Sequence, residues 1–189
     1  YSAFSSAAAA FTPGFLMRSF GMSMESAGAA FGFVFGAAGI LGIVAGGLLA
    51  DRMSQRDVRW IVWIPAIGLA ISAPAAICGY LAGSSETALL LLFIPKALGP
   101  MFLGTCYGLV HRMVADNRRA TASAVLMIAI QGVGASVGPW LAGGLSDVWA
   151  STLREDALGH ALAVVGSGLA LGSIHFWLAA RSLRRDLAA

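Results

Sequence analysis

Lys96 is the only charge in the apolar run ALLLLFIPKALGPMFLG (88–104). Placing an ammonium in hydrocarbon costs roughly 2.5–3.5 kcal/mol on insertion scales, so such a group should face a partner or a water-filled cavity. On a continuous helix its face continues through Pro100, Gly104, Tyr107 and His111, at spacings of three and four. That stripe is small and polar, and it would suit a cavity wall. The alternative is snorkelling, with the stem carrying the ammonium toward the interface. Gln131, in IAIQGVGASVG (128–138), is the second candidate. Its amide could bond a solute, or bridge two helices for about 1 kcal/mol. Lys96, Tyr107 and Gln131 therefore make a candidate solute path. A lone cation favours an anionic or zwitterionic ligand.

Other chemistry is hard to build from this chain. The apolar runs carry no Asp or Glu in their middles, so a coupling carboxylate for proton transfer would have to lie elsewhere. Cys78 and Cys106 fall inside apolar runs, far from metal-ligand spacing, and read as small hydrophobes. Ser167, between Gly166 and Gly168, lies eight residues before His175 on one helix. The two point to different azimuths, against an intramembrane hydrolase. His175 reads as interfacial and structural. Gly32, Gly36, Gly39 and Gly46 form a close-packing face rather than a phosphate loop, since no strand precedes them. Neither an enzyme, nor a metal site, nor a cofactor is implied.

The elements that must hold these residues follow from composition. Of 189 residues, 58% are hydrophobic and only 11% charged, against about 25% charged in soluble domains. The charges sit in short islands between runs of about 20 residues or more, long enough to cross a roughly 30 Å hydrocarbon core as helices. Six spans are predicted, at about 1–20, 27–50, 58–82, 87–110, 120–143 and 157–180, in one all-α bundle covering 1–189. The net charge of +3 does not point to nucleic acid, because the arginines sit at span ends without a basic face or stacking platform. One set of turns holds Arg52, Arg56, Arg59, Arg112, Arg118, Arg119, Arg181, Arg184 and Arg185, while the opposite set holds Arg18 and Arg154. The arginine-rich side is therefore expected to be cytoplasmic, with the C-terminus there. Residue 1 is Tyr, and no signal peptide is read, so the chain is expected to be part of something longer.

The turn after the second run reads GGLLADRMSQRDVR (46–59). Its Gly47, Asp51, Arg52 and Arg56 resemble the loop signature of the major facilitator superfamily, found between the second and third helices of each six-helix half. Ser54 stands where that signature has glycine, and Asp57 where a second basic residue is common. Such degeneracy is usual in the second half. NRRATASA (117–124) and GVGASVGPWLAGGLSD (132–147), which contains Gly134, Gly138 and Pro139, resemble the start and exit of the eleventh helix. The latter is especially similar to the spinster-like branch.

The resemblance implies the C-terminal half, helices seven to twelve, built of two inverted three-helix repeats, with the N-terminal half absent. It also implies secondary transport of a small or amphipathic, lipid-like solute, driven by a proton or ion gradient, in a bacterial inner membrane. Asp51, Arg52 and Arg56 would latch the two halves together, and Gly47 would admit a neighbouring helix. Physically, Asp51 faces the unfavourable end of its own helix dipole and needs a partner. A solvated turn with weak local ion pairs is the simpler alternative. A non-transporting or dimerising six-helix subunit is the other functional class.

Overall fold

The computed structural model describes residues 1–186; the last three residues of the expected 1–189 bundle lie outside it. Among the described residues the chain is all-α. It comprises α1 (Ser2–Phe20), α2 (Met24–Ser54), α3 (Trp60–Tyr80), α4 (Ser85–Leu98), α5 (Phe102–Met113), α6 (Arg119–Met127), α7 (Ala135–Leu153) and α8 (Ala157–Asp186). A 3₁₀ turn, Gly99–Met101, joins α4 to α5. A π-helical stretch, Ile128–Gly134, joins α6 to α7. The α4–α5 and α6–α7 pairs each make one broken rod, so the helices form six rods.

Helix ends follow local chemistry. Ser23 caps α2, its side chain accepting from the Ser26 amide at 3.2 Å, and Ser84 caps α4 through the Thr87 amide at 3.3 Å. Each such cap contributes about 1 kcal/mol. α1 ends at Gly21, whose φ of 65° is the left-handed conformation that glycine adopts without a Cβ penalty. Between α7 and α8 the chain reverses at Arg154, which holds φ 49° and is the one non-glycine positive φ among the described residues.

By length and composition, four helical stretches can cross a membrane: Met24–Ser54, Trp60–Tyr80, Ser85–Met113 and Asp116–Arg184. The last spans 69 residues and contains the Arg154 reversal, after which α8 packs back on α7. The protein is an integral membrane protein.

α3 sits at the centre, packed by α8 on one side and α4 on the other. Phe4 and Phe15 of α1, Tyr80 of α3 and Leu162 and Leu169 of α8 meet in the main core. There the Phe15 and Tyr80 rings lie edge to face at 5.3 Å. The Thr12 and Tyr80 hydroxyls share a 2.8 Å hydrogen bond, so the buried phenol is satisfied. Lipid tails are as apolar as leucine, so helix association here relies on close packing of small residues. Ala7, Ala8, Ala76 and Ala161 are fully buried.

The glycine face of α2 is placed differently from the expectation. Gly32, Gly36 and Gly39 meet nothing within the chain, and the close approach to the α4–α5 rod is made at Gly42 and Gly46. A Cβ on Gly42 would run into the Ala97 carbonyl, and one on Gly46 would stand 2.7 Å from Met101 Cα. The reason is azimuth: the packed stripe of α2 runs through Phe31, Phe35, Ala38, Gly42 and Gly46, and Gly32, Gly36 and Gly39 each stand one residue beyond it. Gly138 of α7 abuts the Ala3 backbone and Gly134, at the end of the π stretch, abuts Ser2, so both are packing points, with Pro139 half-buried. Cys78 faces outward rather than into the core.

Candidate functional site

The two breaks in the long rods sit opposite each other. The 3₁₀ turn at Gly99–Met101 and the π stretch at Ile128–Gly134 both border a hollow of about 210 Å³. Tyr1, Ser2 and Ser5 of the N-terminal segment, Pro100, Phe102 and Gln131 are on its wall. A π-helix has one residue more per turn than the hydrogen-bond ladder of an α-helix accommodates, and such bulges recur at functional sites. Here Ser2 Oγ donates to the Ile130 carbonyl at 2.6 Å, and Ser136 Oγ donates to the Gly132 carbonyl at 2.7 Å. Gln131 is exposed, and its amide bonds no other described side chain.

Lys96 is nearby but not on this wall. It is 7% exposed, and its ammonium reaches across to α1, donating to Ser5 Oγ at 2.8 Å and to the Ser5 carbonyl at 3.3 Å. Nζ also lies 4.8 Å from the centre of the Phe35 ring, a cation–π distance. The ammonium therefore turns inward and does not snorkel. It stands behind Ser5, which does face the hollow. The stripe expected from Lys96 to His111 is divided. The 3₁₀ turn changes the rotation per residue, so Pro100 borders the 210 Å³ hollow while Gly104 borders a separate one beside Asp51. Tyr107 is half-buried and borders neither of these two hollows.

At the arginine-rich end, α2 continues to Ser54, which places Asp51 and Arg52 in its last turns. Both are exposed, as is Arg56, and none of the three forms an ion pair among the described residues. A small hollow of about 50 Å³ beneath them is bordered by Asp51, Ser54, Gly104, Thr105, Gly108 and Arg112. Gly47 likewise meets nothing within the chain.

Sequence reasoning missed the group that organises this turn. Asp57 Oδ2 accepts from Arg59 Nε at 3.3 Å and from Arg184 Nη2 at 2.8 Å, while Oδ1 accepts from the Arg59 amide at 3.0 Å. The Arg59 backbone amide foremost, with both guanidiniums, holds the Asp57 carboxyl below its usual pKa. The available signal was its oddity: an acid set between Arg56 and Arg59, where a basic residue is common. The bond from Arg184 also puts the 55–59 turn and the end of α8 at the same end of the bundle.

The histidines are local. His175 Nδ1 donates to Leu171 O and His160 Nδ1 to Asp156 O, whereas His111 Nε2 shares a 2.7 Å hydrogen bond with Ser123, tying α5 to α6. Ser167 donates to the Val164 carbonyl. Ser167 and His175 are thus each bonded to their own helix and not to each other.

Among the described residues, six helical rods, two of them broken beside one hollow, and a charged turn left open at one end define a polytopic helical bundle. No family model matches the chain. Over 178 residues, 94% of this chain and 41% of the relative, it is 37% identical to an MFS-type efflux pump of Mycolicibacterium smegmatis. Two crystal structures of a bacterial homologue of the human lysosomal transporter Spinster share its fold. The inward-facing occupied form matches with a TM-score of 0.84 at 22% identity, and the inward-facing unoccupied form with 0.85 at 23%. Each match covers 98% of this chain and 47% of that one. The chain thus has a major facilitator fold and spans less than half the length of the relatives it matches.

Proposed function

We propose that this chain is the C-terminal six-helix half of a secondary transporter. It packs against an N-terminal six-helix half of the same protein and moves a small or amphipathic solute by alternating access. The observation that carries this reading is the hollow where the two broken rods face each other. Irregular backbone at membrane depth is tolerated where it borders a cavity or is buried in protein, and Gln131 presents a free amide there. In this reading Lys96 tunes the wall electrostatically through Ser5, and Tyr107 lies further along the path. Gly47, Asp51, Arg52 and Arg56 form the inter-half latch, an assignment supported by their exposure and lack of partners within the bundle.

Both relatives are described as transporters, one as an efflux pump, which supports transport rather than chemistry on the solute. The arginine-rich end is assigned to the cytoplasm of a bacterial inner membrane, with the C-terminus there. The test is uptake and efflux by the intact protein in proteoliposomes, against a panel of amphipathic and small polar solutes, with and without a proton gradient. Gradient-dependent flux that falls in Lys96→Ala while membrane insertion persists supports the reading. Absence of flux for every solute under both conditions, from protein shown to be folded, counts against it.

A further inference from the structure

The seam between α3 and α8 at the arginine-rich end carries a second constellation that solute movement does not use. Arg59 stacks over Trp63 at 5.5 Å, and Arg181 over Trp177 at 4.5 Å. Asp57 draws Arg184 toward Arg59, so guanidiniums from two helices meet across the seam. Beneath them Val62 of α3 packs against Ala180 and Leu183 of α8, with Trp63 on the same cluster. Among the described residues Asp57 pairs with Arg59 and Arg184, while Arg181, stacked on Trp177, forms no ion pair.

The surface below these charges is oily. Val164, Leu171 and Leu178 recur at intervals of seven on α8, with Ile174 and Trp177 beside them, and all five are exposed. The row ends in Arg181, seven residues beyond Ile174. An apolar stripe capped by indoles and then by guanidiniums is the profile of a helix surface lying in a leaflet, with cations at headgroup level. Arginine's planar fork suits phosphate oxygens, and stacking on indole holds it in place.

We propose that the α3–α8 seam binds an anionic phospholipid. Arg181 and Arg184 hold its phosphate at the seam, and its acyl chains pass onto the outer face of α8 along Val164, Leu171 and Leu178. The charge excess selects a net-negative headgroup over a zwitterionic one. Asp57 sets the spacing of the guanidiniums rather than contacting the lipid.

The test uses the intact protein in phosphatidylcholine nanodiscs, titrated with phosphatidylglycerol of matched chains. Phosphatidylglycerol should raise the unfolding midpoint by several degrees, with extra phosphatidylcholine having no effect. An Arg181→Gln, Arg184→Gln pair should weaken the apparent affinity at least tenfold, and the Arg181→Lys, Arg184→Lys pair, which keeps charge but not the fork, should restore only part of it. Brominated phosphatidylglycerol should quench tryptophan emission more than brominated phosphatidylcholine, and Trp177→Phe should remove most of that excess. This last readout needs no change to the arginines. Equal stabilisation or quenching by the two lipids would overturn the proposal. So would an unchanged affinity in the glutamine pair, or a shift reproduced by millimolar inorganic phosphate alone, which would mark a free-anion site.

Discussion

The two flanks of this bundle are built to opposite standards. α3 is buried along most of its length, from Ile61 to Tyr80, between α8 and α4. By contrast, neither α6 nor the π stretch after it contains a buried residue, and Val125, Met127, Ile128 and Val133 stand open. The chain satisfies the first flank by itself, through small residues, prolines and backbone-directed hydroxyls such as Ser173 Oγ to Ala66 O at 2.7 Å. The second flank keeps its apolar and polar groups unspent. A single polypeptide thus separates what must stay rigid from what must meet something else.

The widest contrast between closed and open packing lies along α2. Gly42→Val should cost about 3 kcal/mol or more, because the Ala97 backbone cannot move aside. Gly36→Val, facing open space, should stay within about 0.5 kcal/mol in the isolated bundle. Thermal unfolding of both in detergent measures the gap, and equal losses would erase the distinction. In the intact protein, a larger penalty at Gly36 would show that another bundle covers it.

A smaller effect is expected at the boundary between the flanks. Ser5→Ala removes a hydroxyl that accepts from the buried Lys96 ammonium, which should destabilise by about 1–3 kcal/mol. The double variant Ser5→Ala, Lys96→Met should recover part of that loss. No recovery in the unfolding midpoint would mean that the ammonium has another outlet.

On the open flank, Gln131→Ala should leave stability within about 0.5 kcal/mol while weakening solute affinity several-fold in transport assays. Unchanged transport would remove Gln131 from the path.

The smallest expected effect concerns Asp57. Its carboxyl is held below the ordinary value of about 3.9. The stabilisation it brings is therefore fully present above that value and is lost as pH falls through the depressed one. Hydrogen-exchange protection factors in the 55–59 turn, corrected for intrinsic exchange, should fall between neutral and strongly acidic pH in the wild type, and be low throughout in Asp57→Asn. Identical profiles would separate the turn from α8.

Much of this architecture was legible in the sequence, for a simple reason. Bilayer thickness fixes the length of apolar runs, so Met24–Ser54 and Trp60–Tyr80 announce themselves, and arginine-rich turns mark their ends. Gly99 and Pro100 mark a flexible point in the fourth run, but the 3₁₀ register there and the π register at Ile128–Gly134 were not legible. Hydropathy measures solvent preference, whereas a 3₁₀ or π register depends on which carbonyl meets which amide. The direction of Lys96 depended on Ser5, 91 residues away, which no local pattern reports. Asp57 was visible as a departure from the signature, but its partner Arg184 lies 127 residues on. Gly32 and Gly36 were legible as small and not as idle, because spacing within α2 does not reveal which side its neighbour takes.

The π stretch has a consequence in winding. Seven residues there occupy a span that a regular α-helix would fill with about six. Were that slack passed along the rod, the segment between its old and new positions would turn by about 100°. Gln131 would swing off the wall, and the Ile130 carbonyl would give up Ser2 and return to its own ladder. A rod built this way can change what it shows without sliding or bending, simply by deciding where its surplus residue sits.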